Sequence, residues 1–174
     1  MVGMNESIHL TSEHLVDASP SFEEFVENHH ARLYGALCLL TGDRYEAEEV
    51  AQEAFLRILE RWDHVSALQD PVGYLYRTAM NESRGRYRRA SLAIRRAVAL
   101  APRPESFDVA DDRELIVHGL AQIPKEQRAA LVVTALLGYS SEEAGRILGA
   151  SPSTVRARAT RARTALRRAI GEPT

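Results

Sequence analysis

From Ser21 onward, apolar residues recur at intervals of three and four, the spacing of a helix face rather than of a strand. Phe22, Phe25, Val26, His29 and Leu33 open the first stripe, which continues through Leu40 and stops at Thr41-Gly42-Asp43. Ser21 and Glu24 have the spacing of a capping box, in which each side chain satisfies a free backbone N–H of the other residue. A second stripe, Ala47, Val50, Ala51, Ala54, Phe55, Ile58, Leu59 and Trp62, predicts a helix over residues 46–62. Its other side carries Glu46, Glu48, Glu49, Gln52, Glu53, Arg57, Glu60 and Arg61. A loop is predicted over 64–71. A third helix over roughly 72–89 follows, with a weaker stripe at Leu75 and Ala79 and many arginines.

Residues 91–110 break the pattern. Pro102 and Pro104 cannot sit inside a helix, so this stretch reads as a linker. Periodicity returns at 111. Leu115, Ile116, Leu120 and Ile123 predict a short helix ending before Pro124, and a second helix runs from Pro124 to Leu137, stopped by Gly138. A third covers 140–148, opened by Ser140 or Ser141 and stopped by Gly149. A fourth is capped by Ser151, has Pro152 in its first turn and reaches about Ile170. No segment sustains period-two alternation. The pattern predicts an all-α chain with a polar leader over 1–19, a helical domain over 20–90, a linker over 91–110 and a second helical domain over 111–171.

Charge sharpens this division. The net charge of -2 conceals fourteen acids against four bases in residues 1–70, and eight bases against one acid in 71–103. Acids dominate again over 104–150, and six arginines face one glutamate over 151–174. Two basic blocks between acidic stretches imply two separate anion-binding surfaces. The single cysteine, Cys38, excludes an internal disulfide and a cysteine-rich zinc site, and its apolar surroundings mark it as a core residue. No run approaches the ~18 apolar residues of a membrane span, and the N-terminus lacks the order of a signal peptide. A cytoplasmic location is expected.

The C-terminal block, SSEEAGRILGASPSTVRARATRARTALRRAI, reads as helix, tight turn, helix, the arrangement that inserts its second helix into the major groove. At about 100° per residue, Ala159, Ala162, Leu166, Ala169 and Ile170 cluster around Val155, while Arg156, Arg158, Arg161, Arg163, Arg167 and Arg168 all clear that stripe. A solvated helix face ordinarily mixes charge signs, but no acid occurs here between Glu143 and Glu172. The other basic block, with Arg77, Arg84, Arg86, Arg88 and Arg89, is interleaved with Tyr74, Tyr76 and Tyr87. Those rings suit either unstacked bases or ordinary packing. The acidic face of 46–62 cannot attract DNA and is either simply solvated or a dock for a basic partner. No catalytic arrangement, metal-ligand spacing or phosphate loop stands out, so neither enzyme activity nor a cofactor or metal is expected.

Three stretches, GDRYEAEEVAQEAFLRILERW, DPVGYLYRTAMNESRGRYRR and LAQIPKEQRAALVVTALLGYSSEEAGRILGASPSTVRARATRARTALRRAI, resemble in order and spacing the extracytoplasmic-function (ECF) sigma factors of bacterial RNA polymerase. The resemblance implies a sigma-2 domain over 20–90 and a sigma-4 helix-turn-helix domain over 111–171. It implies that Glu48, Glu49, Gln52, Glu53 and Leu56 dock on the β′ coiled coil of the polymerase core, with the β flap as a second contact. His64, Tyr74, Arg77, Asn81, Arg84 and Arg88 match positions that read and open the promoter −10 element. Thr154, Arg156, Ala157, Arg158, Thr160 and Arg161 match readers of the −35 element. Promoter DNA and an anti-sigma factor are the other implied partners. Ala144, Gly145 and Ala159 are smaller than the residues usual there, which implies a closer-packed helix-turn-helix. The alternative is an autonomous helix-turn-helix regulator that binds duplex DNA without polymerase.

Overall fold

The computed structural model describes residues 20–96 and 111–171. The leader expected over 1–19 and most of the expected linker lie outside the described residues. Helices make up the regular structure, with no strand among the described residues. The chain is all-α.

The first module holds α1 (Phe22–Thr41), α2 (Arg44–Leu59), α3 (Trp62–Ser66) and α4 (Pro71–Arg96). Ser21 and Glu24 form the capping box, and Gly42, at φ 74°, closes α1 in the left-handed conformation. Asp43 caps α2 through the backbone N–H of Glu46, so α2 starts two residues before the predicted helix. It also ends earlier. Arg61 leaves helical geometry, and Trp62 begins α3 with its ring 5.5 Å from Phe22 and 5.0 Å from Phe25. A continuous helix would have run past these aromatics. His64 consequently lies within α3 rather than in a loop, and Leu59 is exposed rather than part of the buried stripe. The Asp70 carboxylate accepts the Gly73 N–H at 2.7 Å to open α4, which has Pro71 as its first residue. Helix α4 runs to Arg96, six residues into the span read as linker.

The second module holds α5 (Asp111–Ala121), α6 (Lys125–Leu131), α7 (Ser141–Leu148) and α8 (Pro152–Ala169). The helix predicted from Pro124 to Leu137 is not α-helical throughout. Val132–Leu136 form a π-helical turn, in which the Leu137 N–H reaches back five residues to the Val132 carbonyl. The Thr134 hydroxyl donates to the Ala130 carbonyl at 2.7 Å, a local competitor of regular helix geometry. Ser140, not Ser141, is the cap of α7, in a capping box with Glu143. Ser151 caps α8, with Pro152 as its first residue.

Two hydrophobic clusters hold the chain. The larger is not confined to one module. It joins Leu33, Leu37, Ala54, Ile58, Leu75 and Met80 to Ala130, Val133, Ile147 and Val155. The smaller ties Leu120 and Ile123 to Leu131 and Ala162. Helix α4 packs against both α2 and α7. Burial pushes the Cys38 thiol pKa up, as fits a packing residue rather than a reactive one. Ala169, placed on the buried stripe by periodicity, is exposed in the last turn of α8.

The small residues of the helix-turn-helix have a steric reason. A Cβ at Gly145 would stand 2.7 Å from the Ala150 carbonyl oxygen, closer than real Cβ contacts allow. Gly145→Ala is therefore expected to cost about 1–3 kcal/mol of stability through overpacking. This is measurable as a lower urea midpoint with unchanged slope.

Candidate nucleic-acid and partner-docking surfaces

Helix α8 presents the C-terminal arginines as periodicity predicts. Val155, Ala159 and Ala162 are buried beneath it. Arg156, Ala157, Thr160 and Arg161 are exposed, while Thr154 and Arg158 are half-buried. The Ser151 hydroxyl lies 2.7 Å from that of Thr154 and accepts its backbone N–H, tying Thr154 into the cap. Arg156 meets Glu142 of α7 at 3.3 Å, both side chains more than half exposed. So loose a pair holds the guanidinium only weakly.

The acidic face of α2 is equally open. Gln52 donates to Glu48 at 3.0 Å, and Leu56 is 56% exposed. Two of its carboxylates have partners within the chain. Arg86 of α4 pairs with Glu49, and Arg57 pairs with Glu53 at 3.1 Å. Arg57 also reaches Glu82 of α4 at 2.7 Å, compensating a carboxylate that is otherwise buried.

The residues matched to −10 reading do not form one patch. Tyr74 and Asn81 line a cavity of about 510 Å³ between α2 and α4, together with Glu53, Leu56, Arg57 and Thr78. Arg57 and Arg61 of that cavity were not singled out from the sequence, because only the α2–α4 packing brings them near Asn81. His64 is exposed on α3 and is not among the residues lining the cavity. Arg77 faces the turn of the helix-turn-helix beside Gly145, Gly149 and Ser151. Arg84 donates to the Leu148 carbonyl at the end of α7, at 2.5 Å. Burial, and then the charge of nearby Arg158, push the Arg84 pKa down. The packing therefore brings together two arginines assigned to different promoter elements. Arg88 lines a crevice of about 530 Å³ with Arg84, Tyr87 and Lys125, whose ammonium lies 4.8 Å from the Tyr87 ring centre. Tyr76 is buried and meets Tyr139 edge-on at 5.8 Å, so it is a packing residue.

Comparison with known proteins matches these two modules to two described regions. Residues 25–92 match Sigma-70 region 2, and residues 113–166 match Sigma-70, region 4. The chain is 30% identical to the ECF RNA polymerase sigma factor SigL of Mycobacterium tuberculosis, over 84% of this chain and 86% of that one. The chain belongs to the ECF sigma factors. It is also 34% identical to SigE of Mycolicibacterium smegmatis over 86% of its length, but spans only 62% of that longer relative. Among solved structures it is similar to the sigma factor RpoE of Bartonella quintana in complex with the anti-sigma factor NepR. The TM-score is 0.74 at 20% identity, covering 86% of this chain and 96% of that one. The sigma factor thus has its two regions in the expected order. No helix of its described residues is long and apolar enough to cross a membrane, and no group of three or more potential metal ligands occurs among them.

The joint between regions 2 and 4 of this sigma factor carries a titratable marker. Burial, and then the Asp70 carboxylate, push the Tyr139 phenol from 10.0 to about 12. Because the folded pKa is raised, the contribution of Tyr139 to stability is complete below its unfolded value near 10 and is lost as pH rises through 12. Between those pH values, Tyr139→Phe should lose less stability than the parent chain, as read by urea unfolding at each pH.

Proposed function

We propose that the chain recruits core RNA polymerase to a defined set of promoters through three surfaces. Glu48, Glu49, Gln52, Glu53 and Leu56 on α2 dock on the β′ coiled coil. Tyr74, Arg77, Asn81, Arg84 and Arg88 on α4, with His64 on α3, engage the −10 element. Thr154, Arg156, Ala157, Arg158, Thr160 and Arg161 on α8 engage the −35 element, and region 4 also rests on the β flap. These roles assign one domain to 20–90 and another to 111–171, with 91–110 as the connection between them. The chain itself performs no catalytic step, needs no cofactor and works in the cytoplasm beside the nucleoid.

The observation that carries this reading is one continuous body presenting an acid-faced helix beside two arginine-faced ones. DNA repels the first and attracts the other two, so a single polyanion cannot be the only partner. An autonomous DNA-binding regulator has no use for the α2 face. The α4 cavity suits strand opening. Drawing a base from the stack costs a few kcal/mol, which a site offering Tyr74 for stacking and Asn81 for hydrogen bonding would offset. An anti-sigma factor is a further partner. The similar Bartonella quintana chain is held by one, and the packed form of the present chain offers both regions to a single inhibitor.

Run-off transcription with core enzyme tests the whole reading, with initiation expected at defined start sites only when the chain is present. Charge reversal of Glu49 and Glu53 to lysine should weaken core binding at least tenfold and leave −35 duplex contacts of the full chain unchanged, checked by titration with core and with DNA separately. Arg156→Ala should cost about 1–3 kcal/mol on −35 sequences if it grips a guanine edge with two hydrogen bonds. An equal loss on every sequence would reduce its role to a phosphate contact.

A further inference from the structure

Arg86 was not among the residues matched to promoter reading, yet it lies on α4 between two that were, Arg84 and Arg88. Its side chain is about one-third exposed, and its guanidinium is occupied by Glu49 of α2. Glu49 is itself more than half exposed and belongs to the face assigned to polymerase docking. One carboxylate is therefore claimed twice, by an arginine of its own chain and by an incoming basic partner.

The neighbouring pair is built differently. Arg57 bonds Glu53 at 3.1 Å and Glu82 at 2.7 Å. If a partner takes Glu53, Arg57 keeps Glu82, and no buried charge is stranded. Arg86 has Glu49 as its one ion-pair partner among the described residues. When Glu49 is taken, the partner's positive charge repels Arg86, which is left without a carboxylate, and a phosphate is the natural replacement.

We propose that Arg86 is a promoter-phosphate contact held off DNA by Glu49 until polymerase docking takes Glu49 away. The inference rests on the reading of α2 as the docking face and of α4 as the −10 helix. Linkage makes the effect reciprocal: whatever factor docking adds to DNA affinity, DNA adds to docking affinity. The factor is set by one exposed ion pair, so it is about two- to fivefold.

The test uses the full chain, core polymerase and a forked promoter DNA. Without DNA, Arg86→Gln should tighten core binding about two- to fivefold, because Glu49 no longer has a competitor. In a Glu49→Gln background the same substitution should have no effect on core binding. In the holoenzyme, Arg86→Gln should lower the slope of log affinity for DNA against log salt by about one, and Arg86→Lys should largely restore it. Core affinity unaffected by Arg86→Gln, while Glu49→Gln weakens it, would overturn the inference and leave the docking surface standing. An unchanged salt slope would overturn it as well, since Arg86 would then touch no phosphate. Core affinity unaffected by Glu49→Gln would remove Glu49 from the docking face, and the inference would fall with it.

Discussion

Glu82 is a buried carboxylate in the middle of α4, and only the Arg57 guanidinium of α2, 2.7 Å away, makes its burial tolerable. An ionised carboxylate without a partner there would cost several kcal/mol in lost hydration. The pair works less as a source of net stability than as a peg. It allows α2 and α4 one sliding register, because any other leaves a charge stranded. That register sets which residues of α2 lie beside Asn81, where the α2–α4 cavity opens, and that Glu49 stands opposite Arg86. Beneath it, Ala47, Ala51 and Ala54 of α2 are fully buried, and such small side chains favour close approach of the neighbouring helices.

Helix α4 has obligations on a second side. Leu75, Tyr76, Ala79 and Met80 belong to the same apolar cluster as Ala144, Ile147 and Leu148 of α7. Arg84 satisfies the Leu148 carbonyl, one of the free acceptors at the C-terminal end of α7. Arg32 of α1 does the same for Leu137 at the close of the π-helical turn, at 3.0 Å. Long arginines thus act as caps across the joint between the two regions. Each such bond to a carbonyl can be exchanged for water or for a phosphate at modest net cost, unlike the apolar contacts under it. The joint combines a firm base with replaceable edges.

What could be read in the sequence was local. Ser21, Ser140 and Ser151 act on N–H groups three residues away, so their neighbours alone reveal the caps. The arginine face of α8 follows from helical spacing, because nothing but that spacing decides which residues clear Val155, Ala159 and Ala162. The turn at Arg61 was hidden because Trp62 fits the period of α2 as well as it fits the aromatic pocket of α1, and only tertiary contact decides between them. Leu59 was miscounted with the core for the same reason. Arg84 and Arg86 looked alike in a run of arginines. Their partners, Leu148 and Glu49, are 64 and 37 residues away, beyond the reach of any periodicity.

The wide turn at Val132–Leu136 carries a residue more than an α-helix of the same span would hold. It leaves Leu136 outside, 51% exposed, and Leu137 inside, at 7%. Deleting one residue from this stretch would restore the ordinary winding and swing everything after it by about 100°, exchanging those two leucines and pulling Tyr139 away from Tyr76. The stretch should therefore accept swaps of one aliphatic side chain for another far more readily than a change in length. Residue count here works as a frame, and a shift in that frame would misalign the helix-turn-helix as a unit while altering none of its own residues.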